Sequence, residues 1–133
     1  MPISITNTAA TGTYASPFVG SKSGPMHVQV DVSALTTREV DARGYLKPGV
    51  VLTSAGLLPG VSNTAVVGVV PEAVKIAESN TGLGSITADP FVVIYTIGMV
   101  NRDVIEDNLE SAMSANEIAA LNTAPSRIVL TLT

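Results

Sequence analysis

Phe91-Val92-Val93-Ile94-Tyr95-Thr96-Ile97 is a β-branched and aromatic run, too apolar to face water on both sides. It predicts a central, largely buried strand. Gly98 is expected to end that strand, and Asn101 to cap a helix from Arg102 to about Ser111, with Asp103 and Glu106 near its positive end. Ser114-Ala115-Asn116-Glu117 repeats the start signal as a capping box before Ile118, Ala119, Ala120 and Leu121, and Pro125 closes that turn. Arg127 to Thr133 then alternates apolar and polar, a second strand that ties the end of the chain into a sheet.

Working towards the N-terminus, Asn80-Thr81-Gly82-Leu83-Gly84 reads as a turn, and Val74, Ile76 and Ala77 as a strand after the interruption at Pro71. Ala65 to Val70 predicts a buried strand, Val50-Val51-Leu52 a short one behind the Lys47-Pro48-Gly49 turn, and His27 to Val32 a cleanly alternating one. About six short strands and one helical connection give an α+β, mainly β domain, with the folded core over residues 27–133. Residues 1–26 form a flexible N-terminal arm in this reading. Met1 to Ser21 carries no charged side chain, Ile3 and Ile5 alternate with Ser4 and Thr6, and Gly12, Pro17 and Gly20 interrupt any long element. Such a segment is expected to become extended when it finds a sheet edge, with a disordered terminus without a role as the alternative.

The chain has 133 residues, 46% hydrophobic and 14% charged, which fits one globular domain. Aromatics make up only 4%, so Val, Ile, Leu and Ala must fill the core. Burial worth about 25 cal/mol per Å² must offset roughly 1 to 2 kcal/mol of backbone entropy per residue, and oligomerisation would supply what a thin core lacks. Cys is absent, which removes disulfides, thiolate catalysis and thiolate metal sites. Net charge is -4 with seven scattered Lys and Arg, so no direct nucleic-acid partner is expected. The longest apolar run, Phe91 to Val100, falls short of the roughly 20 residues of a membrane helix, and no membrane partner is expected. The N-terminus lacks the basic start and apolar stretch of a secretory signal, which reads as cytosolic synthesis.

Chemistry-bearing residues are sparse. His27 stands alone at a strand start without a paired His or Cys and reads as a surface or packing residue. Asp103, Glu106, Asp107 and Glu110 fit a solvated helix face better than a divalent metal site. Gly82-Leu83-Gly84 lacks the further glycine of a dinucleotide fingerprint, and no phosphate loop or Gly-x-Ser-x-Gly elbow occurs. Arg38-Glu39, Asp41 and Arg43 read as a solvated mixed-charge loop, with a subunit-interface anchor as the alternative. No enzyme, cofactor or metal is expected.

Val67-Gly68-Val69-Val70, the strand Phe91 to Ile97, Gly98-Met99-Val100-Asn101-Arg102-Asp103, Ser114 to Leu121 and Ile128-Val129-Leu130 resemble the head decoration proteins of tailed bacteriophages, the lambda-like capsid cement family. The likeness extends back to Lys47-Pro48-Gly49-Val50-Val51-Leu52 and covers the chain from about Tyr45 onward. It implies a small, non-enzymatic, β-rich protein made in the host cytoplasm. It also implies a homotrimer on the outer surface of the expanded capsid, stabilising the head against internal DNA pressure by clamping the major capsid protein. The arm would then bind the capsid, with Ile3, Ile5, Thr6, Thr8, Tyr14 and Phe18 as its candidate contacts. Ordering eight arm residues costs about 8 to 16 kcal/mol, so one arm binds weakly and three on one trimer bind through effective concentration. Two other readings are a small β-barrel ligand-binding or accessory domain with its entrance near Tyr45 or Tyr95, and another virion subunit such as a tail component.

Overall fold

A computed structural model describes residues 14–77, 83, 86, 88–123 and 127–131. The Phe91 run is the centre of the fold, as β6 (Phe91–Asn101). Around it lie β1 (Phe18–Gln29), a 3-10 turn (Val32–Ala34), β2 (Tyr45–Leu46), β3 (Val51–Thr53), β4 (Val67–Val69), β5 (Val74–Lys75), α1 (Arg102–Leu109), α2 (Ala115–Leu121) and β7 (Arg127–Thr131). The described residues thus form a small β-rich α+β domain with seven strands in two sheets and two helices.

The main sheet runs β1-β6-β4-β3, and β7 also pairs with β6. β1 lies antiparallel along the length of β6, from Phe18 opposite Val100 to Gln29 opposite Phe91. On the other flank β6 meets β4 through Val69 and Tyr95, then β7 in parallel from Ile97–Arg127 to Asn101–Thr131. A parallel partner requires a crossover, which α1 and α2 supply. The Asp31 amide donates to the Gly56 carbonyl at 3.0 Å, joining the end of β1 to the turn after β3. The two ends of the strand order therefore meet. β2 and β5 form a separate two-stranded ribbon.

Both helix starts follow their local signals. Asn101 accepts from the Asp103 and Val104 amides, and Ser114 with Glu117 completes the capping box. α1 stops at Leu109 rather than near Ser111, because Glu110 takes a left-handed conformation with φ 55°. β7 is described to Thr131; Leu132, Thr133, Pro125 and most of the turn Asn80 to Gly84 lie outside the described residues.

Three expectations are corrected. Gly98 does not end β6, which continues three residues further. Its φ is +151°, and a Cβ there would lie 2.9 Å from the Phe18 ring, so Gly98 admits Phe18 rather than breaking the strand. The folded core does not begin at His27 but includes β1 from Phe18, so the boundary at residue 26 falls inside a strand. Five positions of β1, Phe18 to Lys22, oppose three of β6, Val100 to Gly98, an irregularity containing left-handed Gly20. Pro25 costs β1 no ladder bond. Val30 donates to the Pro90 carbonyl, which sets the pairing phase and turns the nitrogen of Pro25 away from β6. Finally, Arg38 and Glu39 are not a solvated loop, since Glu39 is only 2% exposed. The core is otherwise aliphatic, with Val30, Leu46, Val50, Leu52, Ile94 and Ile105 fully enclosed.

Candidate functional site

The candidate arm residues separate into two groups. Ile3, Ile5, Thr6 and Thr8 lie outside the described residues. Tyr14 and Phe18 belong to the folded domain. Phe18 is buried, packs edge-on against Tyr95 with ring centres 6.2 Å apart, and contacts the domain's own core.

Tyr14 to Pro17 forms a strap pinned at three points. The Tyr14 hydroxyl donates to Asp41 Oδ2 at 2.6 Å. Buried Asn108, on α1, donates from Nδ2 to the Ala15 carbonyl at 2.8 Å and accepts the Ala15 amide at 3.3 Å. It thus satisfies both backbone groups of Ala15, as a strand neighbour would. Asn108 also donates to the Pro48 carbonyl at 3.2 Å, and the Asn101 amide donates to the Pro17 carbonyl at 2.8 Å. An Asn inside a helix competes with the helix's own hydrogen bonding. That was the available signal for Asn108, and it was missed.

Beside the strap lies a half-open cleft of about 310 Å³, lined by Tyr14, Ala15, Ser16, Pro48, Pro71, Glu72 and Ala73. Tyr45 and Tyr95 are not part of its lining. The Tyr45 ring is covered by cations, with Lys75 Nζ 5.0 Å and the Arg43 guanidinium 5.9 Å from its centre. Lys22 sits 5.0 Å from the Tyr95 ring centre. His27 projects from β1 into solvent, opposite Val93.

Arg38 is the electrostatic centre of the described domain. Its Nη1 and Nη2 grip Glu117 bidentately at 2.9 and 2.8 Å, Nη1 also reaches Glu39 at 3.0 Å, and Nη2 donates to the Ala112 carbonyl at 3.1 Å. Glu117 hydrogen bonding, with help from Glu39, raises the guanidinium pKa further and keeps it charged. The four acidic positions in α1 and at its C-cap behave differently: Asp103, Asp107 and the C-cap Glu110 face solvent. Glu106 accepts the Met113 amide at 2.8 Å and pairs with Arg102 at 3.1 Å; that amide, then Arg102, lowers its pKa. Among the described residues no group of His, Cys, Asp and Glu is arranged to hold a metal, and no helix is long and apolar enough to cross a membrane.

The strap gives stability a pH window. Burial first, then the hydrogen bond and charge of Asp41, raise the Tyr14 pKa. Burial pushes the Asp41 carboxyl up, but hydrogen bonds from Tyr14 and from the Tyr45 and Arg43 amides outweigh it and leave its pKa lowered. A lowered carboxyl stabilises above its unfolded pKa and loses that contribution as pH falls; a raised phenol stabilises below its unfolded pKa and loses it as pH rises. The pair is therefore expected to contribute between about pH 4 and pH 10, the unfolded values of Asp and Tyr. Urea midpoints across pH should show Asp41→Asn flattening the acid limb and Tyr14→Phe the alkaline limb. Unchanged limbs would exclude the coupling.

The chain matches no family model, no curated protein and no solved structure among known proteins.

Proposed function

We propose that this protein is a structural component of a tailed-phage virion that binds the outer surface of the expanded capsid as a homotrimer, contacts the major capsid protein and stabilises the head. The observation that carries the reading is the run from β6 through two capped helices to the parallel return strand β7, the segment on which the family resemblance rests. The strap adds support, because the domain anchors the chain from Tyr14 onward and the uncharged residues 1–13 precede that anchor. The capsid-binding part is accordingly residues 1–13, with Ile3, Ile5, Thr6 and Thr8 as its contacts, while Tyr14 and Phe18 belong to the folded domain.

The experiment mixes the full chain, and a chain lacking residues 1–13, with expanded undecorated capsids and with unexpanded procapsids, and counts bound copies by sedimentation. The expected result is saturable binding of the full chain to expanded capsids in multiples of three. Loss of three arms should weaken this by at least about a hundredfold, the lower range of an avidity effect. No binding to a cognate expanded capsid overturns the reading. Normal decoration by the shortened chain removes the arm from it. The cleft beside Tyr14 favours a second reading as a small ligand-binding module, since its volume is at the low end of ligand pockets.

A further inference from the structure

The cleft beside the strap has walls held by the backbone. Asn108 bonds both backbone groups of Ala15 and also the Pro48 carbonyl, so one side chain of α1 fixes two lining residues. Pro48 and Pro71 are buried, and each ring locks its own φ. The cleft is therefore formed before any ligand arrives. At about 310 Å³ and half open, it has room for a small group and not a large one.

Its lining is short of hydrogen-bond donors. Pro48 and Pro71 have no amide N–H, and the Ala15 amide is already taken by Asn108. The Tyr14 hydroxyl gives its proton to Asp41, which leaves the cleft the aromatic ring, and Ser16 keeps the one uncommitted side-chain donor of the lining. Among the described residues no Lys, Arg or His lines the cleft, so an anion would find no counter-charge there. The only charged one is Glu72, which is exposed, and no described residue bonds or pairs with its carboxylate. The surrounding charge has the same sign. Asp41 and Glu110 act on Tyr14 and with Glu72 make three carboxylates, against two cations: Arg43, which lies over the Tyr45 ring, and Lys47, which is buried and acts on Asp41. A carboxylate and an aromatic ring, flanked by proline and alanine, suit an organic cation whose N–H groups meet Glu72 and whose charge faces the ring. We propose that the cleft binds an alkylguanidinium or alkylammonium group carried on a short apolar stem. This rests on the reading of the cleft as a ligand site and is independent of capsid binding.

Amide NMR titration of the full chain tests it with probes of similar shape and different charge: propylguanidinium, neutral N-propylurea and the anion butyrate. The expected result is saturable shifts at the Ala15, Ser16 and Ala73 amides with propylguanidinium alone. Glu72→Gln should weaken that binding roughly tenfold or more, the scale of one charge-assisted hydrogen bond. Asp103→Asn, which removes an exposed carboxylate of α1 outside the lining, should leave it unchanged. A short peptide with one Arg between alanines separates the sources of such a group. Binding at least as tight as that of the probe identifies an arginine side chain of a partner, and exclusion of the peptide identifies a free organic cation. Propylurea or butyrate binding as tightly as propylguanidinium, or indifference to Glu72→Gln, overturns the cation and leaves a ligand site. Binding of no probe removes the ligand site as well. Binding seen only in a chain lacking residues 1–13 would make the start of this chain the occupant and equally overturns the proposal. None of these outcomes decides capsid binding, which sedimentation with capsids reads separately.

Discussion

Arg38→Ala is expected to destabilise the domain by about 3 to 5 kcal/mol, the range for removing one partner of a buried ion network. The magnitude follows from what remains behind. Glu39 and Glu117 are each 2% exposed, and both direct oxygens at the one guanidinium. Glu39 has other partners, the Thr36 amide at 2.8 Å and hydroxyl at 2.9 Å, and Glu117 accepts the Ser114 amide at 2.8 Å. Those are neutral donors. Without Arg38 two carboxylates share a water-poor site with no cation, and each must stay charged at a solvation cost or take up a proton. Arg38 itself is 21% exposed, so water enters from one side and the lower half of the range is the better expectation.

Urea unfolding of Arg38→Ala, Arg38→Lys and Glu117→Gln separates charge from geometry. Lys keeps the charge but offers no planar fork, so Arg38→Lys should recover only part of the loss. Glu117→Gln keeps the capping-box shape while removing one of two competing anions, and should cost clearly less than Arg38→Ala. A loss under about 1 kcal/mol for Arg38→Ala would place the network in the class of surface ion pairs. The network also carries a structural consequence. Arg38 and Glu117 are 79 positions apart, so it locks the segment before β2 onto the start of α2.

What could be read from sequence was what neighbours in sequence decide. β6 was legible because consecutive β-branched residues leave little choice, and both caps because Asn101 and the Ser114–Glu117 pair act within one turn. The start of β1 was not legible, since Gly20, Gly24 and Pro25 read as breaks until β6 lies alongside to absorb a bulge and leave the Pro25 nitrogen outside the ladder. Burial of Glu39 was hidden for a similar reason. Arg38-Glu39 reads the same in a solvated loop as in a buried network, and the deciding residue is on a distant helix. In the candidate arm, Tyr14 and Phe18 looked like the uncharged residues before them, yet Asp41 and Gly98 draw them into the domain.

Gly56→Ala is the matching expectation for the seam where the sheet closes, with a loss of about 2 to 5 kcal/mol. Gly56 has φ +80°, which costs an L-residue roughly 1 to 2 kcal/mol. The larger cause is steric: an added Cβ would run into the Gln29 carbonyl oxygen and lie 3.0 Å from the Val30 Cα. Both are backbone atoms of β1 and its exit, which cannot rotate aside as a flexible side chain would, and overpacking of this kind costs about 1 to 3 kcal/mol. Nor can the turn move freely. Gly56 donates to the Thr53 carbonyl at 2.9 Å, Thr53 donates to the Leu57 carbonyl at 2.8 Å, and Thr53 Oγ1 accepts the Ala55 and Leu57 amides. Relief must therefore come from separating the turn from β1, which breaks the Asp31 to Gly56 bond that joins the ends of the strand order. Gly60→Ala is the control, because nothing lies within 4 Å of a Cβ there and its φ is not left-handed. By restricting the unfolded chain that change should be neutral or stabilise by up to about 1 kcal/mol. Urea midpoints report the two energies, and hydrogen exchange at the Asp31 amide reports the mechanism. Loss of protection at Asp31 with a large drop in stability means the seam holds the sheet closed, whereas a Gly56→Ala protein as stable as Gly60→Ala means the turn and β1 are not in contact.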